Sequence, residues 1–139
     1  MRSLTAFYGQ DDDESGVILA TEVDVDVLLD RIQQDSTRLG CPFLVQVYIT
    51  GESGIHTPEV GVGVDGEYGA MSYSGRQWPG LWLSVGSDSA PGVTSYDFMG
   101  NETEFPRSAR IPMPSLRQGL KEFLTTGGDR PVSIEWKKK

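Results

Sequence analysis

Glu102 and Glu104 come closest to a catalytic pattern in this chain. Two positions apart on an extended strand, their carboxylates point the same way. Glycosidases set two carboxylates on opposite sides of a scissile bond. A pair on one strand face lacks that opposing wall. A small acid-dependent hydrolase using Glu102 and Glu104 is therefore the enzymatic reading, and a solvated or partner-facing acidic strand is the plainer one.

Other chemistry has little to work with. The chain holds one histidine, His56, and one cysteine, Cys41. Zinc and iron sites need several such ligands, so no metal or other cofactor is expected. His56 reads as a solvent-facing turn residue beside Pro58, and Cys41 as a small residue at the core edge. A Ser-His-Asp triad would have His56 as its only base. Met71-Ser72-Tyr73-Ser74-Gly75 reads as a strand end and turn rather than a nucleophile elbow. Gly61 and Gly63 lie inside a strand, with no helix opening after them to hold a phosphate. Asp11-Asp12-Asp13-Glu14 lacks the spaced oxygens of a calcium loop and reads as a solvated run.

Charge narrows the partners. The 139 residues carry a net charge of −8. Residues 1–70 hold 13 acids against 3 bases, and residues 71–139 hold 7 acids against 9 bases. Nucleic acid phosphates are repelled by such a surface, whereas a basic protein is attracted and steered. One cysteine permits no internal disulfide, which fits a reducing compartment. Met1 to Gly16 is polar and acidic, without a secretory apolar segment, and no apolar run is long enough to span a bilayer. A soluble cytoplasmic protein, not a membrane protein, is expected.

The elements that position these residues follow from periodicity. Ser3–Tyr8 and Val17–Ala20 read as strands. A helix starts at a capping box formed by Thr21 and Asp24, shows an apolar stripe at Val25, Leu28, Leu29 and Ile32, and stops at Gly40 and Pro42. Phe43–Ile49, Glu59–Asp65, Tyr68–Ser74, Leu81–Val85 and Val93–Phe98 read as strands, with Asp65-Gly66 as a hairpin turn and Glu102–Phe105 pairing with Val93–Phe98. Ser115 and Gln118 read as a second capping box, followed by a stripe of Leu116, Leu120, Phe123 and Leu124 and a stop at Gly127-Gly128. Val132–Trp136 is the last predicted strand, and the terminal lysines are expected to fray. The order β-β-α-β-β-β-β-β-α-β predicts one α+β domain, residues 1–139, with a mainly antiparallel sheet.

The aromatics favour binding over catalysis. Trp78 is placed in the loop Arg76-Gln77-Trp78-Pro79-Gly80, and Trp82 opposite Leu81 and Leu83 on its strand. Exposed tryptophan and tyrosine near arginine anchor many protein interfaces.

Several segments resemble the immunity protein 1 family, whose members are small cytoplasmic antitoxins encoded beside bacterial polymorphic toxins. The resemblance rests on Val62-Gly63-Val64-Asp65-Gly66, Ala70-Met71-Ser72-Tyr73, Leu83-Ser84-Val85-Gly86, Glu104-Phe105-Pro106 and Ile111-Pro112. Its most specific part is the tail Glu122-Phe123-Leu124, Thr126-Gly127, Pro131-Val132 and Glu135-Trp136. It covers roughly residues 43–136. It implies a non-enzymatic protein that inhibits a cognate toxin by binding it. The toxins of this family are commonly nucleic-acid deaminases, which take one base into a pocket beside a zinc-activated water. An acidic inhibitor would cover the basic face such an enzyme offers to DNA, in a 1:1 complex without touching nucleic acid itself. Near turns and strand ends, Tyr73, Trp78, Asp97, Phe98, Asn101, Glu102 and Glu104 are the candidate contact residues. Phe105, Phe123 and Trp136 are assigned to the core. An indiscriminate acidic adaptor for basic proteins is the remaining alternative.

Overall fold

The computed structural model describes residues 3–8, 16–52, 57–75, 78–87 and 91–139. The acidic run Asp11–Glu14, His56, Arg76 and Gln77 lie outside the described residues. The elements are β1 (Leu4–Phe7), β2 (Val17–Leu19), α1 (Glu22–Leu39), β3 (Phe43–Ile49), β4 (Glu59–Asp65), β5 (Tyr68–Gly75) and β6 (Trp78–Ser84), then β7 (Val93–Phe98), β8 (Asn101–Pro106), β9 (Ile111–Pro112), α2 (Met113–Thr126) and β10 (Trp136–Lys138). The predicted α+β class holds and the elements come in the predicted order, with two further strands between β7 and α2: β8, read in the sequence as the partner of Val93–Phe98, and the two-residue β9.

One sheet contains all the strands. Its main path runs β10-β6-β5-β4-β3-β1-β2. β4 lies along one side of β3. The other side is shared: β1 pairs with Gln46–Ile49, and β7 ends beside Phe43, where Asp97 is its parallel partner. β7 carries β8 as an antiparallel hairpin.

Both faces of this sheet are covered, for different reasons. Val45, Val47, Val60, Val62, Val64, Met71 and Tyr73 point to the helix side, where they meet the stripes of α1 and α2. Leu28, Leu29 and Ile32 of α1 and Leu116, Leu120 and Phe123 of α2 are buried there. Arg117 ties the helices together, reaching Asp26 at 2.9 Å and Asp30 at 2.8 Å, and Lys121 reaches Asp26 at 3.0 Å. On the opposite side Leu44 and Ala70 meet Tyr96, Phe105 and Ala109 in a second cluster. Glycine makes that layer possible. A Cβ built on Gly63 would stand 2.7 Å from the Tyr96 ring, closer than packed atoms allow. The Tyr96 ring lies on bare backbone, edge-on to Phe105 at a centroid distance of 5.5 Å.

The first helix starts as predicted. The Thr21 hydroxyl accepts from the Asp24 amide and the Asp24 carboxylate accepts from the Thr21 amide, while Gly40 closes the C-terminus at φ 64°. α2 differs. It begins at Met113, behind Pro112, with no side-chain cap, so the Ser115–Gln118 box does not form. The Met113 amide instead donates to the Glu67 carbonyl at 3.0 Å, and Pro114 has no amide to satisfy. β6 also starts earlier than predicted, at Trp78 after a register shift in β5, and leaves Leu81 exposed.

The last strand moves too. Val132 is 93% exposed and lies in a turn. Glu122 Oε1 explains this, accepting from the amides of Val132 at 2.9 Å and Ser133 at 3.1 Å. Pairing therefore starts at Trp136 and runs through Lys137 and Lys138, with the Lys139 amide donating to Leu81. The terminal lysines form an edge strand rather than a frayed end.

Two substitutions test the Tyr96 layer. Tyr96 is fully buried and its hydroxyl has no partner among the described residues, while burial drives its pKa strongly upward. Gly63→Ala is expected to cost about 1–3 kcal/mol through overpacking. Tyr96→Phe removes an unpaired buried group that costs about 1–3 kcal/mol, so it is expected to be neutral or stabilising. Urea unfolding measures both, and a Gly63→Ala protein as stable as the parent would refute the contact.

Glu122 gives the fold an acid limit. Burial raises its pKa, but the bonds from Ser133, Gln118 and Val132 outweigh this and leave it below the ordinary glutamate range. A lowered folded-state value means that the stabilisation is complete above the unfolded pKa, about 4.3, and is lost as pH falls through the folded value. Glu122→Gln is expected to flatten the acid side of a stability profile between about pH 5 and 3. An unchanged profile would remove Glu122 from this role.

Candidate interaction surface

The β7–β8 hairpin has two chemically distinct sides. Its register pairs Val93 with Pro106, Thr94 with Phe105, Ser95 with Glu104, Tyr96 with Thr103, Asp97 with Glu102 and Phe98 with Asn101. Directly paired residues share a face. Tyr96, Phe98, Thr103 and Phe105 therefore face the sheet, and Tyr96 and Phe105 are buried. Asp97, Glu102 and Glu104 share the outer face, where both glutamates are exposed and Asp97 is half-buried.

The outer face gathers charge without neutralising it. Asp97 stands opposite Glu102, a like-charge pairing that is unfavourable in an antiparallel pair. None of the three carboxylates has an ion-pair partner among the described residues. Other acids do have assigned work. Asp24 caps α1, and its pKa is lowered by the Ala20 and Thr21 amides. Asp26 is lowered by Arg117 and then Lys121. Asp35 is lowered chiefly by the Tyr8 hydroxyl, at 2.6 Å.

The hairpin tip is strained. Met99 has φ 51° and Gly100 φ 92°. A two-residue turn with both φ values positive is the type that matches strand twist, and it favours Asn-Gly. Methionine in this region is uncommon, and here it is 38% exposed. The tip therefore carries a partly exposed apolar side chain between Phe98 and Asn101. Sequence reasoning passed over Met99. Its signal is its place before Gly100, between two strands that pair at Phe98 and Asn101.

The other candidates lie elsewhere. Tyr73 is only 2% exposed, and its hydroxyl donates to the Gly128 carbonyl at 2.9 Å. Its ring packs against Phe123 and Trp136 on the helix side. Trp78 is 39% exposed on β6, not in a loop. Its ring stacks on the Arg130 guanidinium at 3.6 Å and meets Trp82 edge-on at 5.8 Å. Arg130 also lies 4.7 Å from the Trp82 ring, so this cluster fastens the segment after α2 to β6. The structure thus brings Asp97, Phe98, Asn101, Glu102 and Glu104 into one hairpin and separates Tyr73 and Trp78 from them.

The two glutamates lie on an outward strand face, not across a cleft. Among the described residues no group of histidine, cysteine and carboxylate side chains is placed to hold a metal ion. Burial raises the Cys41 pKa, the direction opposite to that of a reactive thiolate. No helix among the described residues is long and apolar enough to cross a membrane.

The model of the family described as immunity protein Imm1 matches residues 13–138. The chain belongs to the Imm1 immunity protein family. The match extends beyond the segments that carry the resemblance in sequence, taking in β2 and α1. No curated protein matches the chain. Membership in the Imm1 family makes this an immunity protein, and its work is binding a cognate toxin.

The strain at Met99 is measurable. Met99→Asn is expected to stabilise the protein by about 1 kcal/mol, because asparagine tolerates the left-handed region. Urea unfolding checks this. A loss of stability would show that the methionine side chain contributes more than its backbone conformation costs.

Proposed function

We propose that this Imm1 protein neutralises a polymorphic toxin whose warhead is a nucleic-acid deaminase, by covering the basic face that receives DNA or RNA. The single observation that supports the reading most directly is the outer face of the β7–β8 hairpin, where Asp97, Glu102 and Glu104 stand together with no ion-pair partner among the described residues. A deaminase must attract a polyanion, so its mouth is positive. Three carboxylates on one rigid face oppose that charge and exclude nucleic acid.

Occlusion is stoichiometric. The protein acts in a 1:1 complex, turns nothing over and needs no cofactor. It works in the cytoplasm, where the toxin's substrate is. Phe98, Asn101 and Met99 at the hairpin end supply contact area, while the carboxylates guide approach and select the partner. Trp78 is a second exposed aromatic on β6. Tyr73 supports the sheet from within. Self-protection demands tight binding, with a dissociation constant of about 1 nM or lower. An interface of about 1,600 Å² is sufficient.

Binding kinetics with the toxin domain encoded in the adjacent gene test this reading. The double variant Glu102→Gln with Glu104→Gln is expected to slow association about tenfold at low salt, with less effect on dissociation. Raising salt to about 0.5 M should shrink that difference while the parent complex survives. Equal association rates for parent and variant would move the contact off the hairpin. A parent complex that dissolves at that salt would make the protein an indiscriminate acidic adaptor.

A further inference from the structure

Resting on that reading, we propose that the toxin docks by adding an extended basic segment to the free edge of β8, continuing the sheet across the interface. β8 pairs with β7 alone, and among the described residues no strand occupies its other side. It is six residues long, whereas β10 and β2, at the ends of the main path, have three each. A long open edge is a template for another chain.

The hydrogen-bond phase of the hairpin decides which groups that edge offers. The two-residue turn makes Phe98 and Asn101 a bonded pair, and bonded and unbonded pairs alternate along an antiparallel ladder. Tyr96–Thr103 and Thr94–Phe105 are then bonded, and Asp97–Glu102 and Ser95–Glu104 are not. Two observed bonds carry the same phase. The Arg107 amide donates to the Gly92 carbonyl at 3.0 Å, extending the bonded set. The Asp97 amide points away from β8, donating to the Pro42 carbonyl at 2.8 Å. Glu102 and Glu104 therefore turn their own N–H and C=O groups outward to the free edge.

These two residues also carry the exposed carboxylates. An added strand would bond to their backbone, and its residues facing them would lie on the same outer side, two positions apart. Lysine or arginine at alternate positions satisfies that face. Open edges in other proteins are commonly blunted by lysine, proline or a bulge. Here Pro106 closes only the far end, and the glutamates repel acidic strands while admitting a basic one.

Glu104→Pro and Glu104→Gln separate the backbone from the charge. Proline at 104 removes a donor that β7 does not use, as Pro106 already does two residues on. It is expected to weaken binding of the adjacent-gene toxin domain about 10- to 100-fold. Glu104→Gln keeps the donor and is expected to weaken it by no more than about fivefold. In the parent complex, hydrogen exchange at the Glu102 and Glu104 amides should slow sharply. Equal affinities for the two variants, or unchanged exchange at those amides, would overturn strand addition while leaving the immunity reading intact. Should Glu104→Pro fail to fold by circular dichroism, the exchange measurement on the parent decides alone. A parent protein that does not bind the toxin domain at all would sink both readings.

Discussion

The fold depends on a sheet thin enough at its centre to be covered on both sides. Gly61 and Gly63 leave the middle of one face of β4 without side chains, while Val60, Val62 and Val64 fill the other. The helices need the valines. The β7–β8 hairpin needs Gly63, because the Tyr96 ring lies where its Cβ would stand. That contact, together with Phe105 in the same cluster and the pairing of β7 with β3, joins a hairpin that is marginal by itself in water to the rest of the molecule. Its inner residues are committed to the core, so the direction of its outer residues is set as well.

The same logic divides the acids. A net charge of −8 says little about location. Asp24 completes a cap, Asp26 and Asp30 hold Arg117, Asp35 receives Tyr8, and Glu122 clamps the turn at Val132 and Ser133. These carboxylates stabilise the fold with partners inside it. Asp97 and Glu102 do the reverse, facing each other across a strand pair with no cation paired to them among the described residues. An arrangement that costs stability persists where some other requirement selects it, and a partner of opposite charge would supply one.

Much of this was legible in the sequence because it rests on local rules. The Thr21–Asp24 box, the helical stripes, the Asp65-Gly66 turn and the Gly127 stop each have a short-range signature, and each forms. The misreadings arise where a distant group intervenes. Ser115 and Gln118 carry a capping pattern, but Glu67, far away in sequence, takes the Met113 amide and starts α2 earlier. Val132–Trp136 has a strand composition, but Glu122 draws its first amides into a turn. Tyr73 shows why aromatic type alone does not reveal exposure: its ring is buried and its hydroxyl is used by the Gly128 carbonyl. Glu102 and Glu104 were visible as a pair, but Asp97 joins them only through the hairpin register.

Shape and charge act at different stages of recognition. Exposed carboxylates accelerate approach over a range limited by salt, about 8 Å at physiological ionic strength. They add little affinity once water surrounds them. Holding a toxin for long times requires groups that pair at contact, and backbone amides and carbonyls do so with directional bonds that salt screens weakly. Strand addition at β8 would place both functions on the same two residues. Glu102 and Glu104 would then attract a basic segment with their side chains and align it with their peptide groups. A partner with the wrong charge would be turned away before alignment. A partner with the right charge but no free strand would arrive and then leave.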